Sequence, residues 1–301
     1  MDRNIGWSLC AGQPKGIGGV PGATCFSLSE TKCLIRHYRL SFDSGDGHMY
    51  KLGILGGMGP FATADTLARV VKFTFAKADQ EHIPTIILSD PRVPDRSDFI
   101  CGQGTDPMPK LLEGIRTLEK FAVEAIIIPC NSAHYFVPQL QAVTPIPIID
   151  MVKETVNYIA SSLLTKHIMV FGTVGLLKSN VYQNRFAQNN LAIESSSEAD
   201  QMAVMSVIRE IKKTGEYQQS RKNFEELIAR VNRQNDCCFV FACTELSLIK
   251  HHYNHLQVVD PLDVLVVTAI QKLGFPIDYE ELIKDDAKYQ GKLAEYFAVG
   301  T

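Results

Sequence analysis

One sequence pattern occurs twice along this chain of 301 residues, in the same order each time. Each copy has an apolar run that ends near glycine, an apolar run that ends in cysteine, and a short apolar run that ends in aspartate. The paired segments are LGILGGMGP (52–60) with IMVFGTVGL (168–176), AIIIPCNSAH (125–134) with CFVFACTELS (238–247), and IPIID (146–150) with LQVVD (256–260). The repeat predicts two similar halves, each with one cysteine at the carboxyl end of a strand.

The segments between these apolar runs have the spacing of amphipathic helices, as in ATADTLARVVKFTFAKA (62–78) and PLDVLVVTAIQKL (261–273). Short apolar strands that alternate with helices are typical of a parallel sheet covered on both faces. We therefore predict an α/β protein of two similar flavodoxin-like domains, related by a pseudo-twofold axis. Open sheets of this kind bind ligands at the carboxyl ends of their strands, so we expect the active site in the cleft between the domains.

The domain boundaries follow from composition. Residues 1–48 are rich in glycine, proline and small polar residues, and they predict a poorly ordered leader or accessory arm. We place the first domain at 49–150 and the second at 151–260, with 261–301 able to pack back on the first. A chain that begins at Met49 is expected to fold and to keep its activity.

Bulk properties argue against several classes of protein. The formal net charge of −3 gives no reason to expect a nucleic-acid partner or a membrane surface. No apolar run reaches the roughly 18 residues of a membrane span, and no secretory signal opens the chain, so we expect a cytoplasmic protein. The eight cysteines do not form a disulfide pattern. We expect reduced thiols, with Cys237 and Cys238 as small buried residues.

The two strand-ending cysteines, Cys130 and Cys243, carry the most specific chemistry. Each precedes a predicted helix start, where free N–H groups stabilise a thiolate and bind a carboxylate. Small polar or acidic residues follow them directly: Asn131, Ser132, Thr244 and Glu245. If the thiols face each other, one removes a proton from a carbon and the other returns a proton to the opposite face. This inverts a stereocentre without a metal or an organic cofactor. A single cysteine after a strand is more often a packing residue, but the matched pair favours catalysis.

These motifs carry a family resemblance. GILGGMGPFATAD, VPDR, IIIPCNSAH and FACTEL resemble the aspartate/glutamate racemase family, in particular its aspartate racemase branch, from about Lys51 to Leu273. The resemblance implies that Cys130 and Cys243 are the proton-transfer bases and that no pyridoxal phosphate is used. Relatives commonly form a homodimer, and the oligomeric state of this chain is left open. It also implies substrate-binding residues at Met58, Arg96, Asn131, Ser132, Ala133, Lys213 and Thr244, with supporting residues His134 and Glu245.

The sequence departs from the family pattern at two positions. Ser132 replaces a threonine and keeps the hydroxyl group, whereas Ala242 replaces the glycine before the second cysteine. We expect neither change to abolish activity. Lys212 is an alternative to its neighbour Lys213 for the substrate-binding lysine.

The expected function is cofactor-independent interconversion of L- and D-aspartate, with glutamate left open. Two alternatives remain: an isomerase or decarboxylase of a small dicarboxylate, and a non-catalytic amino-acid-binding or thiol-sensing protein. Other motifs have simpler interpretations. We interpret GGMGP (56–60) as a tight turn and HHYNH (251–255) as a solvated turn, with helix-capping roles for Asp150 and Asp260. His134 either tunes the Cys130 thiol or caps a helix.

Overall fold

The computed structural model describes residues 50–162, 167–194, 196–232, 237–285 and 292–299. The predicted leader, 1–48, lies outside these residues. None of the helices described is both long and apolar enough to cross a membrane.

The first half contains a parallel sheet with the strand order β2–β1–β3. Its strands are β1 (Tyr50–Gly56), β2 (Thr85–Ser89) and β3 (Val123–Ile127). A single parallel bridge between Ile126 and Ile148 adds a fourth position beyond β3. The predicted strand at 146–150 is therefore reduced to one bridge, because Pro145 and Pro147 have no N–H group for a longer ladder.

The second half repeats this arrangement with the order β4–β5–β6. Its strands are β4 (Ile168–Gly172), β5 (Cys238–Ala242) and β6 (Gln257–Val259). A parallel bridge between Ile168 and Ile193 adds the position beside β4. Counted along the chain, both halves place their four positions in the spatial order 2-1-3-4, which is the flavodoxin-like order. The internal repeat thus corresponds to two flavodoxin-like α/β units.

Helices connect these strands. The α-helices are α1 (Pro60–Phe73), α2 (Arg96–Ile100), α3 (Met108–Lys120), α4 (Val137–Gln141), α5 (Met151–Ser162), α6 (Val174–Lys178), α7 (Val181–Gln188), α8 (Glu198–Thr214), α9 (Arg221–Val231), α10 (Thr244–Ser247), α11 (Pro261–Lys272), α12 (Tyr279–Asp285) and α13 (Lys292–Val299). Short 3₁₀ segments occur at Asp79–Glu81, Asn131–Tyr135 and Lys250–Tyr253. The four- and five-residue helices were not predicted, because they are too short to show a helical period.

Helix α11 is buried between the two halves. It is buried from Pro261 to Ile270, and it packs against α1 of the first half and against α5. One hydrophobic cluster includes Ile54 of β1, Val170 of β4 and Leu265 of α11, so both sheets share a core with this helix. The shared core fixes the relative position of the two sheets.

A buried ionic cluster also joins the two halves. Arg69 on α1 donates to Asp260 Oδ2 at 2.6 Å and to the Ser247 carbonyl at 3.0 Å, and it pairs with Asp263. Lys250 Nζ lies 2.5 Å from Asp263 Oδ2. Burial lowers the pKa of Arg69, but Asp263, Asp260 and Asp65 outweigh this effect and hold its pKa well above its usual range. Asp260 also caps α11 by accepting from Leu262 N, as expected for this residue.

Candidate active site

Cys130 and Cys243 line one narrow pocket between the two halves. Cys130 is the N-cap of the 3₁₀ segment after β3, and Cys243 is the N-cap of α10 after β5. Both are buried, with exposures of 6% and 7%. The pocket is narrow, with a cavity volume of about 10 Å³, and it is lined by Met58, Asp95, Arg96, Ser97, Cys130, Asn131, Ser132, Thr173, Lys212, Ala242, Cys243, Thr244 and Glu245. The equivalent cysteines of the two half-repeats thus border the same space.

Side-chain hydrogen bonds close the pocket across the two halves. Thr244 Oγ1 donates to the Pro129 carbonyl at 3.2 Å. Thr173 Oγ1, at the end of β4, accepts from Ser97 Oγ at 2.6 Å and lies 3.0 Å from Ser132 Oγ. These contacts hold the carboxyl ends of β3, β4 and β5 against one another.

Arg96 is buried in the pocket wall at the start of α2. Its Nη1 donates to the carbonyls of Val93 at 3.2 Å and Pro94 at 3.0 Å, and its Nη2 donates to the Met58 carbonyl at 2.9 Å. Its Nε has no hydrogen-bond partner among the residues that the structure describes. Burial lowers the pKa of Arg96, but Cys130, Asp95 and Glu245 outweigh this effect and leave its pKa raised. The guanidinium group is therefore fixed in place and charged beside Cys130.

Asn131 presents a second buried donor to the pocket. Its Oδ1 accepts a hydrogen bond from the Tyr182 hydroxyl on α7 at 2.7 Å. Burial raises the pKa of Tyr182 well above its usual range, so this hydroxyl stays protonated. Nδ2 of Asn131 has no partner within the described part of the chain. An unpaired buried donor costs free energy, so Asn131 Nδ2 and Arg96 Nε together favour an acceptor-rich ligand such as a carboxylate.

Cys243 donates a hydrogen bond to the neighbouring acid. Its Sγ lies 2.9 Å from Glu245 Oε2, and Glu245 is itself buried. Burial and the carboxylate of Glu245 raise the pKa of the Cys243 thiol well above its usual range, although Lys212 opposes them. These two effects favour the protonated form of the Cys243 thiol.

The structure brings Lys212 to the pocket and does not bring Lys213 there. The Lys212 side chain is partly exposed to solvent, and it also lines the pocket together with Glu245 and the two cysteines. Desolvation lowers the pKa of Lys212, but the interactions with Glu245, Cys243 and Cys130 outweigh it and leave the pKa raised. Lys212 is thus the lysine placed to meet a ligand.

Two further residues singled out from the sequence lie behind the pocket wall. Ala133 is fully buried in the core of the first half. His134 Nε2 accepts from Met151 N at 2.9 Å, so Nδ1 carries the proton and donates to the Cys130 carbonyl at 3.0 Å. His134 therefore fixes the backbone of Cys130 against the start of α5.

The remaining motifs have structural roles. In GGMGP, Gly57 has φ +92°, and a Cβ there would lie 2.4 Å from the backbone of Asp90, so only glycine fits this turn. Asp150 accepts from Lys153 N and from Arg185. Among the described residues, no group of three or more His, Cys, Asp or Glu side chains is placed to hold a metal ion. Cys237 and Cys238 are buried, as expected.

The sequence reasoning missed four residues around the pocket: Asp95, Ser97, Thr173 and Tyr182. Two of them could have been identified from sequence patterns. Asp95 lies inside the quoted VPDR motif, and Thr173 is the repeat equivalent of Gly57 in the paired glycine segments. Tyr182 had no such pattern, because only the packing of α7 brings its hydroxyl to Asn131.

Two flavodoxin-like α/β units thus border one pocket, with a cysteine from each. The model of the Asp/Glu/Hydantoin racemase family matches residues 55–269. The chain belongs to this family of racemases.

Several individual proteins are similar to the chain. The broad specificity amino-acid racemase RacX of Bacillus subtilis is 28% identical over 73% of this chain and 96% of its own length. The glutamate racemase of a Hydrogenobaculum species is 25% identical over 70% of this chain and 87% of its own length. Among solved structures, the Picrophilus torridus aspartate racemase superposes with a TM-score of 0.70 at 26% identity, covering 78% of this chain and 99% of that chain.

Proposed function

We propose that this protein interconverts the L and D forms of an acidic amino acid, with aspartate as the expected substrate and glutamate as the alternative. The observation that carries the proposal is the meeting of Cys130 and Cys243 in one buried pocket, from equivalent positions of two half-repeats. Two-base inversion needs acid–base groups on opposite faces of one carbon, and a pseudo-twofold pair of thiols is suited to this task.

The charges of the pocket support a dicarboxylate with one ammonium group. Arg96 and Lys212 are the cations of the lining, and Arg96 Nε and Asn131 Nδ2 are donors without protein partners among the described residues. One carboxylate binds between the motifs that follow the cysteines, near Asn131 and Thr244. The other reaches Arg96 and Lys212. This places Cα between the two thiols.

The two cysteines then supply both the base and the acid for the proton transfer. The thiolate of one cysteine takes the Cα proton, and the bonding electron pair passes to the adjacent carboxylate carbon and oxygens. The thiol of the other cysteine donates its proton to the opposite face of Cα. For one of the two enantiomers, Cys130 is the base and the Cys243 thiol, which lies beside Glu245, is the acid. The reverse reaction exchanges these roles.

The relatives support the substrate class without fixing it. The similar Picrophilus protein is an aspartate racemase, the Hydrogenobaculum protein is a glutamate racemase, and the Bacillus protein is a broad specificity amino-acid racemase. Both enantiomers of aspartate and glutamate therefore belong in the first assay.

The test is an incubation of the full chain with L- or D-aspartate in deuterium oxide, without added cofactor. The proposal predicts loss of the Cα proton signal by NMR together with formation of the other enantiomer. Binding of aspartate without deuterium uptake would instead identify a non-catalytic binding protein. Release of carbon dioxide would point to a decarboxylase, and conversion of a cis alkene diacid to its trans isomer in a parallel incubation would point to an isomerase.

A further inference from the structure

Tyr182 approaches the active site from behind Asn131. It lies on α7 of the second half, it is 1% exposed, and it is not among the residues that line the cysteine pocket. Its hydroxyl donates to Oδ1 of Asn131, a residue of the first half, at 2.7 Å. This hydrogen bond crosses from one half to the other, and it reaches the pocket only through the Asn131 side chain.

Packing fixes the Tyr182 ring in place. The ring stacks on Phe186 with a centroid distance of 6.2 Å and an interplanar angle of 25°, and both rings lie in the hydrophobic cluster that the two sheets share. Helix α7 also packs against α5, whose first residue, Met151, donates its N–H group to His134. The Tyr182 hydroxyl is therefore held relative to the segment that follows Cys130.

The two ends of the Asn131 amide have different surroundings. Oδ1 accepts from Tyr182, whereas Nδ2 is buried and has no partner within the described part of the chain. Burial raises the pKa of Tyr182 well above its usual range, so its hydroxyl remains a donor at neutral pH. An amide oxygen only accepts and an amide nitrogen only donates. While Tyr182 donates to Oδ1, the amide therefore turns Nδ2 away from Tyr182, toward the pocket that Asn131 lines.

We propose that Tyr182 is a positioning residue for racemisation, which holds the Asn131 amide so that Nδ2 donates to the substrate carboxylate next to Cα. This inference rests on the proposed racemase function. Negative charge builds up on that carboxylate as the Cα proton leaves, so a fixed donor stabilises the transition state more than the bound substrate.

Removal of the Tyr182 hydroxyl would reverse this arrangement. Oδ1 of Asn131 would then be buried against a phenyl ring without a donor, which costs free energy. The amide would gain by turning Oδ1 toward the cations of the pocket lining, Arg96 and Lys212. In that orientation it presents an oxygen to the substrate carboxylate and repels it.

The experiment is a double-mutant cycle on the full chain, with Tyr182→Phe, Asn131→Ala and the two combined, assayed on L- and D-aspartate. Tyr182→Phe keeps the packed ring, and it should lower kcat/KM for both enantiomers by about tenfold, as expected for one lost hydrogen bond. In the Asn131→Ala background the same substitution should change kcat/KM by less than about twofold, because no amide is left to hold. Tyr217→Phe changes a buried tyrosine of a separate hydrophobic cluster, and this control should behave like the parent.

Three kinetic results would overturn the positioning role. The first is parent-like kinetics in Tyr182→Phe, and the second is an equal loss in the parent and in the Asn131→Ala background. The third is the disappearance of one limb of the pH profile of kcat/KM in Tyr182→Phe, since Tyr182 would then transfer a proton itself. The positioning role predicts that both limbs remain.

Nuclear magnetic resonance of the ¹⁵N-labelled protein without substrate separates this failure from failure of the proposed function. The Nδ2 signals of Asn131 are assigned by their absence in Asn131→Ala. They should shift in Tyr182→Phe and stay in place in Tyr217→Phe. If they shift but no acidic amino acid is racemised, the racemase proposal fails and the hold of Tyr182 on the Asn131 amide stands. Unshifted signals in Tyr182→Phe would overturn that hold.

Discussion

The Sγ atom of Cys243 lies 2.9 Å from Oε2 of Glu245, two residues further along the chain. The equivalent thiol of the other half, Cys130, instead lies beside the guanidinium group of Arg96. This interaction helps to raise the pKa of Arg96. The two halves therefore repeat the backbone but not the electrostatics. The Cys243 thiol interacts with both the Glu245 carboxylate and the Lys212 ammonium group, whereas Cys130 interacts with the Arg96 guanidinium group.

The first prediction concerns this difference. In Glu245→Gln the negative charge that helps to raise the pKa of Cys243 is removed, so the pKa of this thiol should fall. Its proton is then lost at lower pH, and the alkaline limb of the pH profile of kcat/KM for aspartate should move to lower pH. Burial is the larger cause of the raised pKa and remains, so the limb should still lie above the ordinary thiol value. Glu124→Gln, at a partly exposed ion pair with Lys51, is the control and should leave the profile unchanged. An alkaline limb that stays in place, or moves upward, would show that Glu245 does not hold the Cys243 proton.

The second prediction concerns Arg96. Lysine cannot reproduce three hydrogen bonds to the carbonyls of Met58, Val93 and Pro94 and also present a fixed donor to the substrate. Arg96→Lys should lower kcat/KM for aspartate. The loss of transition-state stabilisation should be about 1.5–3 kcal/mol, which is the range for a lost hydrogen bond to a charged group. Arg92→Lys is the control, because Arg92 is a neighbouring exposed arginine that pairs with Asp90 outside the pocket. This variant should leave kcat/KM unchanged. Parent-like kinetics in Arg96→Lys would remove Arg96 from substrate binding.

The third prediction separates the two adjacent lysines. Lys212 lines the pocket and Lys213 does not, so Lys212→Ala should raise KM for aspartate while Lys213→Ala should behave like the parent. The pair is well matched because both residues lie in the last turn of α8. A larger effect at Lys213 would mean that α8 presents the other face to the bound substrate.

The fourth prediction concerns the ionic cluster that joins the halves. Arg69→Met leaves the buried carboxylates of Asp260 and Asp263 without their arginine partner. Removing one member of a buried ion pair typically costs about 3–5 kcal/mol, so the free energy of unfolding by urea should fall by roughly this amount. Arg221→Met, which breaks an exposed pair with Glu225, should have little effect. Equal stability of the two variants would mean that Lys250 alone compensates the negative charges of Asp260 and Asp263.

Much of the fold was predictable because the repeat fixes it locally. Apolar runs such as 52–56 and 238–242 form buried strands whatever the details of packing, and each ends within one residue of its predicted end. The strand predicted at 146–150 failed where two prolines interrupt the ladder, and that signal was present in the sequence.

The site was only partly predictable, for a geometric reason. Sequence motifs identify residues within a few positions of a strand end, such as Cys130 and Cys243, but not residues whose position depends on the packing of a helix. In α8 the buried stripe includes Val204, Ile208 and Ile211. Lys212 lies four residues after Ile208 and continues that face toward the pocket, whereas Lys213 is turned about 100° away. The choice between the two lysines therefore depended on knowing which face of α8 meets the pocket.

The most direct test of the two-base account is deuterium uptake at Cα of L- and D-aspartate, measured separately in Cys130→Ser and Cys243→Ser, with Cys101→Ser as a control at a thiol outside the pocket. Serine is a poor base at neutral pH, so neither pocket variant should racemise aspartate. Each retains the thiol on one face, and the account predicts exchange of the Cα proton of one enantiomer in one variant and of the other enantiomer in the other. Cys101→Ser should racemise like the parent. Full racemisation by either pocket variant would contradict the two-base mechanism.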